Sequence, residues 1–197
     1  MGTTLKYCLP LIIALVLASL GLYSNQSLAI ELGGTLPAYQ IESKGELILE
    51  GEDIRYQPWS SSAITNDSPT LIFYMAARLS SEKIIAPLRD QLDAKNYADG
   101  SFQSISIVNM DEALWGTGGL VLGKLADNKR DHPRATIIAD DVGSALSLWS
   151  LKKKSVAVIL LNSDGVIEYL NQGSLSENEV AEIIQLLDKK IAKSQAK

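Results

Sequence analysis

Cysteine and histidine are almost missing from this chain of 197 residues, which has one of each, Cys8 and His132. Zinc sites draw on several such side chains, so no metal centre of that kind is expected. The acidic pairs Asp111-Glu112 and Asp140-Asp141 offer no calcium-loop spacing, and each is expected to lie in a solvated turn. A serine hydrolase would need a base, yet His132 sits in a polar stretch before Pro133, and no G-x-S-x-G element is present. Positive charge is also short, with 18 Lys and Arg against 23 Asp and Glu and a net charge of −5. Such a chain lacks the electrostatic footprint for phosphate backbones, which excludes nucleic acid as a partner. The glycines at 116, 118 and 119 are too loosely spaced for a phosphate loop.

The one long apolar run is Leu9–Leu22, about the length of a signal-peptide core and short for a membrane span of ~20 residues. Ser27-Leu28-Ala29 follows, with small residues at both recognition positions of a cleavage site. Residues 1–29 are therefore expected to be a secretory signal peptide, and residues 30–197 one exported domain with no stable membrane span. An uncleaved N-terminal anchor is the alternative. Cleavage would remove Lys6, making the net charge one unit more negative, and Cys8, leaving no thiol at all. Cys8 precedes the apolar core without the usual small residues before it, so a lipid anchor there is not expected.

Over the whole chain 46% of residues are apolar and 21% charged, a globular composition. Glu46–Glu50 and Asp53–Trp59 read as two short strands around Gly51, a hairpin lead-in. Thr70–Met75 is continuously apolar, as in a strand buried on both faces. Ser80 or Ser81 is expected to cap the next helix, whose Ile84, Ile85, Leu88 and Leu92 fall at helical spacing and which Pro87 should kink. Gln103–Asn109, Ala135–Ala139 and Val156–Leu161 read as strands, Leu120–Lys129 as a helix and Ser144–Trp149 as a short helix or turn. Asn162–Gly165 turns the chain back into Val166–Leu170. Ser176 and Glu179 form a capping box ahead of the stripe Val180, Ile183, Ile184, Leu187 and Ile191. The fold class is α/β, a mixed sheet sandwiched between helices.

Several segments resemble the thioredoxin-like superfamily. Ile85-Ala86-Pro87 is similar to the helix after the redox motif, and Gly173-Ser174-Leu175-Ser176 to the approach to the last helix. Leu36-Pro37 and Gly143–Trp149 resemble the peroxiredoxin-like branch. Gly45-Glu46-Leu47, Ile107-Val108-Asn109, Asp140–Trp149 and Ser155–Gly165, with the export signal, resemble the YtfJ family of small periplasmic proteins. The resemblance implies a periplasmic location. It also places Leu79 and Glu82 where thioredoxins carry their two cysteines, and Ala157 where they carry a substrate-gripping proline. Neither Leu nor Glu can exchange a disulfide, so thiol oxidoreductase and peroxidase activities are excluded and no catalytic residue or cofactor is expected.

The expected function is that of a protein- or ligand-binding module, with a periplasmic protein or peptide as a candidate partner. Its candidate surface comprises Arg78, Ser80, Ser81, Glu82, Trp115 and Ala157. For Ser80 and Ser81 the structural role is capping, and for Arg78 with Glu82 a surface ion pair of little weight. Trp115 either packs over the sheet or anchors a partner. Lys152-Lys153-Lys154 is a solvated loop, its three charges being few for a lipid surface. An enzyme of non-thiol chemistry, with Glu82 as acid or base, is the alternative.

Overall fold

The computed structural model describes residues 29–65 and 67–196. The signal peptide expected over residues 1–29, and Cys8 with it, falls outside the described residues except for Ala29. Seven strands form one sheet: β1 (Gln40–Glu50), β2 (Asp53–Ser60), β3 (Thr70–Ala76), β4 (Gln103–Asn109), β5 (Thr136–Asp140), β6 (Val156–Leu161) and β7 (Ile167–Gln172). Their spatial order is β2-β1-β5-β4-β3-β6-β7. The central β5, β4 and β3 are parallel, while β1, β2, β6 and β7 join by antiparallel pairing. Among the described residues four α-helices accompany the sheet: α1 (Leu79–Lys95), α2 (Gly118–Asp131), α3 (Ser144–Leu148) and α4 (Glu177–Gln195).

Strand β3 organises both cores. All its side chains are buried, and the two-residue period of a strand sends them alternately to opposite faces. Leu71, Phe73 and Met75 meet α1, α2 and α4 on one face. Ile72 and Tyr74 meet α3 and the chain from Ile30 to Ile41 on the other. The helices are thus unevenly shared between the two faces. The second face is covered by α3 and by the lead-in, which crosses the sheet from edge to edge. Gly33 and Gly34 exchange 2.8 Å backbone hydrogen bonds with Ile167 on β7, and β1 then pairs with β5.

Helix α4 has the expected capping box, with Ser176 N–H donating to Glu179 Oε2 at 2.7 Å and Glu179 N–H to Ser176 Oγ at 3.3 Å. Its apolar stripe is buried from Val180 to Ile191. Helix α1 differs from expectation at its start. Arg78, in extended conformation and without a side-chain capping bond, occupies the N-cap. The chain already turns at Ala77, where Arg78 N–H donates to Ala76 O at 2.7 Å, so Ser80 and Ser81 fall inside the first turn rather than capping it. Pro87 lies inside α1, which runs on to Lys95. Helix α2 extends through the polar run to Asp131, with Lys129 buried and donating to the Ala135 carbonyl at 2.7 Å.

The pairing of β1 with β2 slips between Ile41 and Glu46, where Lys44 and Gly45 adopt φ of 62° and 78°. A Cβ on Gly45 would lie 2.1 Å from the Gln57 carbonyl oxygen. Gly45→Ala is therefore expected to destabilise the domain by about 2 kcal/mol or more, from a backbone clash added to a left-handed φ. Gly51→Ala, at φ 66° with open space around it, should cost about 1 kcal/mol. Urea unfolding of the two variants measures the difference, and equal losses would contradict the bulge geometry.

Candidate functional site

The carboxyl ends of β3, β4 and β5 lie together at one end of the sheet, the end where open α/β sheets place their ligands. A groove that runs along the first face reaches this end, and a knot of buried polar groups lies at it on the second face.

The groove lies between α1 and α2. It has a volume of about 780 Å³, within the range of small-molecule sites. The two helices are tied to different neighbours. Helix α1 leans toward α4, where Lys95 Nζ and Tyr97 Oη donate to Asp188 at 2.6 and 2.7 Å. Helix α2 leans toward the β1–β2 turn, where Arg130 Nε donates to the Glu52 carbonyl at 3.1 Å. Between them β4 presents Ser104 and Ser106 on the floor, flanked by Phe73, Val108 and Ile137. Serines in mid-strand are too small to fill the gap, and Ser104 is exposed in the centre of the sheet.

Three of the expected residues meet at this groove. Arg78 lines it, and its Nε is buried without a hydrogen-bond partner. Ser81, 3% exposed, lines it from the first turn of α1. Glu82 faces Lys124 across the groove at 3.9 Å, so its ion-pair partner is Lys124 and not Arg78. Ser80 is exposed outside the lining. Trp115 is fully exposed beyond Leu114 and packs over nothing, which corrects the packing role. Ala157 is 3% exposed in the opposite core, paired with Tyr74 and Gln172. It forms no part of an accessible surface, because the strand period turns it away from the groove.

One member of each acidic pair departs from the solvated turn expected: Asp111 is exposed and Asp141 half-buried, but Asp140 and Glu112 are buried. Asp140 is fully buried. Its Oδ1 accepts from Gly143 N–H at 3.0 Å and its Oδ2 from Tyr74 Oη at 3.3 Å. Burial above all, reinforced by the Asp140 carboxylate, pushes the Tyr74 and Tyr39 hydroxyls well above the ordinary tyrosine range. Trp149, buried completely, sets its ring edge-on to Tyr39 and Tyr74 at 5.5 and 6.0 Å and donates from Nε1 to the Pro37 carbonyl at 3.3 Å. Glu112 is also buried, with Oε1 accepting Lys154 N–H at 2.6 Å and Oε2 without a partner. Asn109 Oδ1 accepts from Asp111 N–H at 3.0 Å, and its Nδ2 is buried without a partner. A Cβ on Gly143 would fall 2.5 Å from Asn109 Oδ1, so the turn after β5 is fitted to the end of β4. One signal for Asp140 was present in the sequence. It ends an apolar strand and stands three residues before a glycine, the arrangement of a side chain closing its own turn.

Among the described residues there is no cysteine and no group of three potential metal ligands. Leu79, which the resemblance sets at the first cysteine of the thioredoxin motif, is 66% exposed.

A family described as a bacterial protein of unknown function (YtfJ_HI0045) matches residues 30–190. The chain belongs to this family. An uncharacterized protein of Haemophilus influenzae is 26% identical over 177 residues, covering 90% of this chain and 96% of that protein. The uncharacterized protein YtfJ of Escherichia coli is 31% identical over 159 residues, covering 81% of this chain and 86% of that protein. Among solved structures, the C-terminal domain of a Bacteroides thetaiotaomicron protein assigned as a thiol-disulfide oxidoreductase superposes with a TM-score of 0.55 at 19% identity. It covers 83% of this chain and 97% of that domain. The fold of this YtfJ-family chain is therefore thioredoxin-like, as the resemblance implied.

Because the buried tyrosines keep their protons in the native state, their stabilisation is complete below the unfolded value near pH 10 and is lost as pH rises beyond it. Alkaline titration of the unfolding free energy should fall steeply above pH ~10, and Tyr74→Phe should flatten that fall. Asp140→Ala should cost about 3 kcal/mol at neutral pH. A loss below ~1 kcal/mol would mean that the carboxylate does not hold the turn.

Proposed function

We propose that this YtfJ-family chain is an exported binding module without thiol chemistry, and that its ligand seat is the groove between α1 and α2. The supporting observation is an open, mostly apolar cavity of about 780 Å³ that runs along α1 and α2 over β4, with Arg78, Ser81 and Glu82 on its wall near the carboxyl end of the sheet. A concave site of this size suits a small molecule or a short apolar segment better than a flat protein partner. Leu79 and Glu82 stand at the positions of the redox motif, and the chain's single cysteine, Cys8, lies in the stretch that a signal peptidase would remove. Glu82 lies opposite Lys124 at 3.9 Å, the arrangement of a surface ion pair rather than of an acid–base couple, so nothing favours an enzyme over a binder.

Ser106 separates ligand binding from folding. Ser106→Leu would fill part of the groove floor with an apolar side chain, leaving stability unchanged or raised by up to ~1 kcal/mol. Binding of N-phenyl-1-naphthylamine, a neutral apolar fluorophore, should weaken at least tenfold in that variant. Unaltered binding of this probe by a folded Ser106→Leu chain would rule out the groove as the seat.

A further inference from the structure

The large apolar side chains that stand exposed among the described residues are not scattered. Leu32 apart, they are Leu79 after β3, Leu114, Trp115 and Leu120 after β4, and Val142 after β5. Because these strands are parallel, all five project at one end of the molecule. Lys152-Lys153-Lys154 comes to the same end, since β6 runs antiparallel to β3 and begins where β3 stops. Two contacts fix this. Ala76 N–H donates to the Ser155 carbonyl at 3.1 Å, and Lys154 N–H donates to Glu112 Oε1 at 2.6 Å, two residues before Leu114. The three lysines are exposed and enter no ion pair among the described residues. Asp111 and Asp141 share this end, Asp141 accepting from Ser43 at 3.0 Å. The basic character is therefore local to the lysine loop.

A fully exposed tryptophan and leucines on separate loops, beside lysines outside any ion pair, is the chemistry of an interfacial anchor, the apolar side chains adding what three charges alone do not supply. Apolar tips enter the acyl boundary and ammonium groups meet headgroup phosphates. A protein partner would instead call for a continuous packed patch with charge depleted at its core, whereas here three lysines stand beside apolar side chains that project from separate turns. We propose that this end of the molecule docks on an anionic phospholipid surface, Trp115 and Leu114 inserting and Lys152–Lys154 contacting the headgroups. The groove reaches this same end, with Leu79, Leu114 and Leu120 in its lining, so docking brings that part of it against the lipid.

Tryptophan emission of the full chain tests this, because Trp59 and Trp149 are buried and Trp115 is fully exposed. Residues 1–29 hold no tryptophan, so their own attachment to vesicles leaves this signal unmoved. With vesicles of phosphatidylglycerol and phosphatidylcholine, Trp115 emission should shift to the blue and be quenched by brominated acyl chains. Neutral phosphatidylcholine vesicles should give little of either, and Trp115→Phe should remove both. Replacing Lys152, Lys153 and Lys154 by Gln should weaken the anionic response roughly 10- to 100-fold. An unmoved Trp115 on anionic vesicles, an equal response on neutral ones, or full affinity without the lysines would each overturn the proposal. So would a blue shift appearing only on concentrating the chain without lipid, which would assign the surface to a second copy.

Discussion

One buried carboxylate holds together the end of the molecule where β3, β4 and β5 stop. Asp140 sits at the end of β5, fully removed from water, and closes the following turn through Gly143 while accepting from Tyr74 on β3. A charge so placed is tolerable only where hydrogen bonds and dipoles replace its hydration. The surroundings therefore have to be specific: a glycine at φ 63° after the turn, tyrosines held neutral beside it, and Trp149 wedged against both rings. Trp149 also carries the lead-in, accepting Ile30 N–H at its carbonyl and donating to the Pro37 carbonyl. The N-terminal segment, the central strands and α3 are thus joined through a single small volume.

That rigidity on one face accompanies openness on the other. The same strands carry Ser104 and Ser106 toward the groove, and the flanking helices are anchored outward, α1 by Asp188 and α2 by the Glu52 carbonyl. Packing is dense where β3 and β6 face α4 and sparse where β4 faces the space between α1 and α2. A cavity bounded by firmly held elements retains its shape without a ligand, which lowers the ordering cost of binding. The buried but unpartnered polar atoms of Arg78, Asn109 and Glu112 belong to the same end of the sheet. Structures commonly leave such groups unsatisfied near functional sites.

Much of the fold could be read from residue patterns. The continuous apolar run of β3, the alternation of β4 and the capping box with the stripe of α4 are local signals, and each element formed where its period demanded. The candidate surface was only partly legible. Arg78, Ser81 and Glu82 meet in one groove because they share the first turn of α1, which sequence proximity already fixed. Ala157 was assigned to the same surface by its place in the chain, yet the strand period turns it to the opposite core. Asp140 and Glu112 looked like solvated turn residues because adjacent acids usually are, and nothing in their immediate neighbours announced the depth at which they lie.

By itself, then, the sequence determined the elements, the family and the near absence of cysteine, since these depend on spacing and residue type along the chain. Tertiary structure alone decided which helices diverge to open the groove and which carboxylates lose their water. It also decided that Trp115, Leu79, Val142 and the lysines before β6 come to one end of the molecule. Those outcomes depend on the direction and order of strands in the sheet, a long-range property that no local pattern of residues encodes.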